Sequence, residues 1–192
     1  MGNQPNKLTR RAAIATLAAV ALTRTSNTAN AQSTPSAESI ERQLGAAAPR
    51  IAPNQKMSVQ QIKRSKHLRR IAPTVNIQSI NFEFGAATIP HSERWKVQRI
   101  ATAMRRLLAR NPDELFLVEG HTDAVGSNSS NLLLSQRRAD TLARNLRRFG
   151  VKGRALETIG YGEEDLLIQT ASAEWRNRRV SLRRITDFVI LR

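Results

Sequence analysis

The sequence predicts an α+β or α/β domain in which a four-stranded mixed sheet packs against two main helices. The prediction rests on two segments with apolar residues at helical spacing and four short apolar runs that are typical of strands. Their order along the chain is β-α-β-α-β-β. Because helices connect the first three strands, we expect at least part of the sheet to be parallel. About 120 residues are enough to bury a core of this kind.

Start and stop signals bound most of these elements. Ser92 is expected to cap the first helix, which the pair Asn111-Pro112 ends, and Gly150 ends the second helix. A polar loop over residues 122–130 precedes that second helix. The expected strands are residues 74–84, 115–119, 156–161 and 178–185, and the expected helices are residues 92–110 and 131–149.

Residues 1–31 resemble a secretory signal. Lys7, Arg10 and Arg11 precede an apolar run over residues 12–22, and Ala29-Asn30-Ala31 fits a small-x-small cleavage site. The run is shorter than the roughly 20 residues that span a bilayer. We therefore expect a signal that is removed to leave a mature chain beginning at Gln32. The arginine pair also fits a twin-arginine signal, and the alternative interpretation of the segment is a disordered, Ala-rich tail.

A basic linker over residues 32–74 is expected between the signal and the domain. It is rich in Ser, Ala and Pro, and from Arg42 to Arg70 it has eight Lys or Arg residues and no acidic one. We expect a disordered spacer followed by a short helix over residues 58–71. One interpretation is electrostatic attachment to an acidic surface, such as the outer-membrane surface or an envelope protein. The other is a mobile, solvated lead-in to the domain.

The composition restricts the partners. The net charge of +16 favours an anionic partner, which leaves nucleic acid, anionic lipid and an acidic wall polymer as classes. The absence of cysteine excludes disulfides, thiolate metal sites and a lipid-modified N-terminal cysteine. Aromatic residues make up only 4% of the chain, which disfavours stacking on single-stranded nucleic acid. Together with export, this leads us to expect no nucleic-acid partner.

The residues best suited to bind a ligand lie between the second strand and the second helix. The loop begins with Gly120-His121-Thr122-Asp123, and the helix that follows carries Asn131 and Arg138. Ligands gather at such junctions in α/β folds. A helix N-terminus favours a carboxylate, whereas Asp123 offers a fixed negative charge to an ammonium group. A ligand that carries both groups would match.

Helical geometry distinguishes Arg138 from the other arginines of the second helix. At about 100° per residue, Arg137 and Arg144 point away from the buried direction, whereas Arg138 lies at its edge. Arginine suits a planar carboxylate because it can donate two parallel hydrogen bonds. The alternative role for Arg138 is a structural ion pair, and Asp123 is a candidate partner for it.

Glu119, His121 and Asp123 stand two residues apart, a spacing that a metal site or an acid–base pair could use. We favour neither, because the chain has three histidines and no second carboxylate cluster. We expect no metal, no cofactor and no catalytic residue. His121 is expected instead to form a hydrogen bond within its own strand–loop junction.

Other positions have structural interpretations. Gly126 is expected to permit a turn with positive φ. One of Arg178 and Arg179 is expected to face the core on the side of Val180 and Leu182, and to be paired there because a buried charge needs a partner.

At these residues the chain resembles the OmpA-like peptidoglycan-binding family, over about residues 75–185 of an expected domain at residues 75–192. The resemblance implies an OmpA-like fold and non-covalent binding of the peptidoglycan stem peptide, chiefly its diaminopimelate. It implies a periplasmic protein associated with the outer membrane or the cell wall. It rests on Ile80-Asn81-Phe82-Glu83-Phe84, Gly120-His121-Thr122-Asp123, Gly126, Asn131, Leu134-Ser135, Arg137-Arg138-Ala139, Gly160-Tyr161-Gly162-Glu163 and Asn177-Arg178-Arg179-Val180.

The resemblance also implies roles for single residues. In the family, the Asp after His-Thr holds the amino end of the ligand and the Arg before Ala holds its carboxylate, which here are Asp123 and Arg138. Thr122 and Asn131 are expected to join them. Ser130 stands where the family often has an aromatic residue. The expected supporting or structural positions are His121, Gly126, Ser135, Asn177, Arg178 and Arg179.

Members of this family are usually attached to a barrel, a lipid anchor or a membrane helix, and we expect none of these here. The leading hypothesis is therefore a binding module that contributes to envelope attachment or integrity, and not an enzyme. One alternative is a basic protein that binds polyanions, either nucleic acid or anionic lipid. The other is a cell-wall hydrolase that uses Asp123 or Glu119 as its base.

Overall fold

The computed structural model describes Met1 and residues 34–78, 80, 82 and 86–190. The expected signal peptide lies outside the described residues apart from Met1, and so does much of the expected first strand beyond residue 78. The described residues from 34 to 190 belong to one compact unit.

Four strands form a mixed sheet in the order β1-β4-β2-β3. β2 and β3 run parallel, and β4 runs antiparallel to both of its neighbours, β1 and β2. The predicted fold class is thereby confirmed. The ends of β1, β2 and β3 and the start of β4 consequently lie at one edge of the sheet. The strands are β1 (Thr74–Ile77), β2 (Phe116–Gly120), β3 (Leu156–Gly160) and β4 (Val180–Arg184).

Two long helices cover one face of this sheet. Their apolar side chains, among them Ile100, Met104 and Leu142, share a core with Val118 and Leu182 of the strands. No helix in the described part of the chain combines the length and the apolar character that a membrane span requires. In the described residues the α-helices are α1 (Ala37–Leu44), α2 (Val59–Arg64), α3 (Lys66–Ile71), α4 (Arg94–Arg110) and α5 (Asn128–Arg148).

Two predicted helix starts are wrong by a few residues. Ser92 does not cap α4, because it lies inside a 3-10 turn, His91–Glu93, and Glu93 occupies the cap position. α5 begins three residues earlier than predicted, because the Ser127 hydroxyl accepts a hydrogen bond from the Ser130 N–H at 3.2 Å. The first strand is also shorter than predicted and ends at Ile77.

The expected disordered spacer is wrong for the described residues of the linker. α1 is capped by Ser36 and buries Ile40 and Leu44 in the same core as the sheet. These two apolar residues are four apart, so they share one face of a short helix in an otherwise polar segment. The predicted helix over residues 58–71 is two helices, α2 and α3, which meet at Ser65.

Part of the basic segment covers the second face of the sheet. Ile62 of α2 and Leu68 of α3 pack with Phe188 and Val189 near the C-terminus, over Leu117 of β2. Since this face is covered too, polar side chains that project from it are buried. The sheet is therefore enclosed on both sides.

Candidate ligand-binding site

The candidate site lies where β2 and β3 end and α5 begins, and two glycines bring these elements together. A Cβ atom on Gly120 would lie 2.0 Å from the Ser135 carbonyl oxygen, and one on Gly160 would lie 2.3 Å from the Gln136 nitrogen. The Ser135 hydroxyl accepts a hydrogen bond from the Gly162 N–H at 2.8 Å. The first turns of α5 are thus held directly against the strand ends.

Asn131 shapes the loop between β2 and α5. Its Nδ2 donates to the carbonyl oxygens of Asp123 at 3.3 Å and Val125 at 3.2 Å, and to Glu163 Oε2 at 2.6 Å. Gly126 has a φ of +104°, which confirms the predicted turn with positive φ. Asn131 therefore holds the backbone on which Asp123 is presented.

Asp123 forms an ion pair with Arg178, with 2.8 Å between Oδ2 and the arginine NH1. The Asp123 side chain is 11% exposed and that of Arg178 is 45% exposed. The structural alternative paired Asp123 with Arg138. In the structure the partner of Asp123 is Arg178 instead. The half-exposed guanidinium lies on the solvent side of a largely buried carboxylate.

Arg138 is buried, at 5% exposure, near the same carboxylate. Its Nε donates to the Ala86 carbonyl oxygen at 3.1 Å, and its guanidinium lies 5.0 Å from the centre of the Phe82 ring. Burial and the charge of Arg178 lower the pKa of Arg138, whereas Asp123 raises it. Among the described residues, no carboxylate forms an ion pair with Arg138. Its position supplies a fixed cation that no described carboxylate binds in an ion pair.

Thr122 and His121 lie deeper than Asp123. The Thr122 N–H donates to the Gly162 carbonyl oxygen at 2.9 Å, and its hydroxyl is buried without a hydrogen bond to any described residue. The His121 ring is fully buried, 5.6 Å from the Tyr161 ring. Burial and then Arg179, Arg183 and Arg69 lower its pKa well below the ordinary value, so the ring is neutral.

The role expected for the His121 side chain is wrong within the described residues. Neither ring nitrogen forms a hydrogen bond there, and the strand–loop junction is held by the backbone N–H of His121, which donates to the Arg179 carbonyl oxygen at 3.0 Å. The oxygen recorded near the ring is Glu119 Oε2, which lies 3.9 Å from His121 Nε2, too far for a hydrogen bond.

Asn177 and Arg179 organise the loop that leads into β4. Asn177 Oδ1 accepts hydrogen bonds from the N–H groups of Leu167 and Ile168, and its Nδ2 donates to the Ile168 carbonyl oxygen. Arg179 is the buried member of the arginine pair and donates to the Asp165 carbonyl oxygen at 3.0 Å.

The expected side of the buried arginine is wrong. Strand alternation puts Arg179 on the face opposite Val180 and Leu182, the face that α2 and α3 cover. Because both faces are enclosed, alternation alone did not identify which of the two arginines is buried.

The OmpA family profile matches residues 81–179, which is more than half of the chain. The chain belongs to the OmpA family.

Among the relatives of this chain are proteins named as an outer-membrane porin and as a peptidoglycan-binding protein. Outer membrane porin F of Pseudomonas aeruginosa is 33% identical over 114 residues, which are 57% of this chain and 31% of the porin. Peptidoglycan-binding protein ArfA of Mycobacterium bovis is 33% identical over 100 residues, 51% of this chain and 29% of that protein. The peptidoglycan-associated lipoprotein of Burkholderia pseudomallei, a crystal structure, matches at 26% identity with a TM-score of 0.45, over 58% of this chain and 88% of that chain. This chain therefore matches about a third of the length of the porin F relatives.

This OmpA-family domain also contains a buried ion pair that the sequence patterns did not indicate. Arg183 of β4 donates to Glu119 of β2 through Nε at 2.7 Å and NH2 at 3.0 Å, and its NH1 donates to the Arg69 carbonyl oxygen. Glu119 is fully buried. The available signal was Glu119 itself, a charged residue that directly follows the apolar run of β2.

Of Glu119, His121 and Asp123, the first two approach each other in this OmpA-family domain, with 3.9 Å between Glu119 Oε2 and His121 Nε2. Glu119 is paired with Arg183 and Asp123 with Arg178. In the part of the chain that the structure describes, no group of three histidine, aspartate or glutamate side chains is placed to hold a metal ion. Glu119 is too enclosed to act as a solvent-accessible base.

Proposed function

We propose that this domain binds peptidoglycan non-covalently in the periplasm, through a stem-peptide residue that carries both an ammonium and a carboxylate group. Diaminopimelate is such a residue. The observation that carries the proposal is the set of Asp123 in the loop before α5, Arg138 on α5 and Arg178 just before β4, in which one carboxylate lies near two cations. One relative, ArfA of Mycobacterium bovis, is named as a peptidoglycan-binding protein, and this supports the same partner.

Each group of the ligand has a counterpart in this set. The ligand ammonium takes the place of Arg178 at the Asp123 carboxylate, which is possible because the Arg178 side chain is half-exposed. The ligand carboxylate pairs with Arg138, whose guanidinium is held in place by Ala86 and Phe82. Charged groups that are prearranged and partly shielded from water bind oppositely charged groups more strongly than mobile surface charges do.

The other expected site residues act around this pair. Asn131 fixes the loop that presents Asp123. The buried Thr122 hydroxyl forms no hydrogen bond with any described residue. Ser135 and Gly126 keep the loop and helix in register, and Asn177 orders the approach to Arg178. These roles would make Asp123 and Arg138 the contacts that determine affinity.

Co-sedimentation with purified sacculi tests the proposal. Asp123→Ala and Arg138→Lys should each weaken binding roughly ten- to hundredfold, because each charge-assisted hydrogen bond contributes about 1.5–3 kcal/mol. Arg138→Lys keeps the charge but loses the planar fork. Circular dichroism and a melting curve should show that both variants remain folded.

Arg137→Ala and Arg144→Ala are matched controls, because both arginines are exposed on the same helix. They should bind as the wild type does. If they weaken binding as much as Arg138→Lys, attraction is diffuse and the polyanion alternative is correct. That alternative also requires a steep loss of binding between about 50 and 200 mM salt. Release of soluble wall fragments would instead support the hydrolase.

The proposed location depends on residues 1–31. We propose that they direct export and are removed before Gln32. Mass spectrometry of the protein from cells should find a chain that begins at Gln32, and an intact Met1 or Gly2 terminus in the mature protein would contradict export with cleavage.

A further inference from the structure

A second pocket lies beside the sheet face that α4 and α5 do not cover. Lys66, Arg69 and Arg70 of α3 line one wall, and Glu164, Asp165 and Gln169 of the loop after β3 line the other. Its volume is about 190 Å³. At roughly 30 Å³ for each water molecule, this is room for a small polar group and part of its hydration shell.

Arg69 is a prearranged cation in this pocket. Its NH1 donates to the Lys63 carbonyl oxygen at 3.2 Å, and its guanidinium lies 4.1 Å from the centre of the Tyr161 ring. The Tyr161 hydroxyl donates to the same carbonyl oxygen at 2.8 Å. Little side-chain freedom would therefore be lost when Arg69 binds an anion.

Arg179 adds positive charge behind the opposite wall. The residue is 95% buried, since its exposure is 5%. Its NH2 donates hydrogen bonds to the Asp165 carbonyl oxygen at 3.0 Å and to Asp165 Oδ2 at 3.4 Å. Its Nε and NH1 are buried and have no hydrogen-bond partner among the described residues. Buried donors are nearly always hydrogen-bonded in proteins, so two donors of Arg179 that no described residue accepts from are an unusual feature of this wall.

The charges around the pocket do not balance. The pocket is lined by the three cations of α3 and by the carboxylates of Glu164 and Asp165, and Arg179 lies behind Asp165. Four positive side chains against two negative ones leave +2. The buried pair of Glu119 and Arg183 is neutral as a whole and does not change this balance.

We propose that this pocket binds a phosphate group. A phosphate monoester carries close to two negative charges at neutral pH, which matches the excess. Its tetrahedral oxygens can accept hydrogen bonds from cations on different sides, whereas a carboxylate is planar and carries one charge. The group comes either from a lipid headgroup or from a free phosphate. This site is separate from the Asp123 site and does not depend on the proposed function.

The test uses the purified protein and inorganic phosphate as the probe, with binding followed by calorimetry and by the NMR signal of the Arg179 Nε–H. We expect saturable binding and a shifted Arg179 signal. Lys66→Gln and Arg70→Gln should each weaken phosphate binding at least fivefold, and neither residue is buried. Arg64→Gln is the control, because Arg64 is exposed in the same segment and its loss changes the net charge equally but it does not line the pocket.

Three results would overturn the proposal. They are an absence of saturable phosphate binding, an equal loss in Arg64→Gln and Arg70→Gln, or acetate binding as tightly as phosphate. Asp123→Ala should leave phosphate binding unchanged, and Arg70→Gln should leave sacculus binding unchanged. The two sites can therefore fail independently.

A second arm identifies the source of the phosphate. Phosphatidylcholine vesicles with and without phosphatidic acid are co-sedimented with the wild type, Arg70→Gln and Arg64→Gln. Binding that requires phosphatidic acid and is lost in Arg70→Gln alone assigns the site to a lipid headgroup. Saturable binding of inorganic phosphate without vesicle binding assigns it to a soluble phosphate.

Discussion

Gly120 lies directly against the backbone of Ser135, so close that a Cβ atom on Gly120 would stand 2.0 Å from the Ser135 carbonyl oxygen. Gly120→Ala should therefore push α5 away from the end of β2 and lower the free energy of unfolding by about 3 kcal/mol or more. Gly153→Ala is the control, because a Cβ there meets only the flexible Arg147 side chain, at 3.4 Å. Urea unfolding of both variants measures the difference. Equal stability of the two would contradict the close packing.

The Glu119–Arg183 pair makes a second prediction about stability. Glu119→Gln leaves a buried guanidinium without its carboxylate, and it should lower the free energy of unfolding by about 3–5 kcal/mol. The double variant Glu119→Gln with Arg183→Met should recover much of this loss, because it removes both charges. A double variant less stable than Glu119→Gln would show that the hydrogen bond from Arg183 to the Arg69 carbonyl oxygen contributes more than the charge pair.

The buried His121 predicts how stability depends on pH. Its pKa is lowered in the folded state, chiefly by burial, so below about pH 6.5 the unfolded chain binds a proton that the folded chain does not. The contribution of His121 to the free energy of unfolding is thus fully present above about pH 6.5. It falls by up to about 1.4 kcal/mol per pH unit below that value. Urea unfolding at pH 7 and pH 5 should show a smaller decrease for His121→Gln than for the wild type.

The Asp123–Arg178 pair predicts an effect on ligand binding. If a ligand ammonium displaces Arg178, then Arg178→Gln removes a competitor and should strengthen binding of a diaminopimelate-containing peptide. The pair is partly solvent-exposed, so the gain should not exceed about 1 kcal/mol, or about fivefold. Calorimetry with the isolated peptide measures it. Weaker binding would mean that Arg178 contacts the ligand directly.

The basic segment is predicted to add a salt-sensitive attraction to acidic surfaces. Deleting residues 32–70 would not test this, because it also removes the core residues Ile40, Leu44 and Ile62. The exposed arginines Arg42, Arg50 and Arg64 can be changed to Gln instead. Adsorption to anionic vesicles should then fall at low salt and be unchanged at high salt, because the Debye length shortens to about 3 Å at 1 M.

The same number of charges can be removed from α5 as a control, at Arg137, Arg144 and Arg148, which are also exposed. An equal fall in adsorption for both triple variants would show that net charge, and not the basic segment, determines the attraction.

The elements that the sequence predicted well are those with sustained periodicity. α4 and α5 each repeat their apolar stripe over several turns, and β2 is a continuous apolar run, so local pattern and tertiary packing agree. α1 was missed because its apolar face consists of Ile40 and Leu44 within a segment whose average composition is that of a spacer. The average composition of the segment does not reveal two apolar residues that are four positions apart.

The candidate site could be predicted in position but not in its internal pairing. The strand–loop–helix order placed Asp123 and Arg138 near each other, and burial of Arg138 agrees with its place at the edge of the helix face. The choice of Arg178 as the partner of Asp123 depends on a loop that approaches from 55 residues along the chain. No pattern in the local sequence predicts a contact between residues so far apart in the chain.

The strand that completes the sheet is also the one that is synthesised last. β4 lies between β1 and β2, and until it arrives β1 has no neighbour in the sheet. Pairing between Thr74 and Arg183 requires the closure of a long loop, which slows folding. During synthesis, most of the chain therefore emerges from the ribosome before the sheet can be completed. A nascent molecule truncated before residue 180 has an open edge on β2 where β4 should pair, which makes it a target for proteolysis or for pairing with another chain.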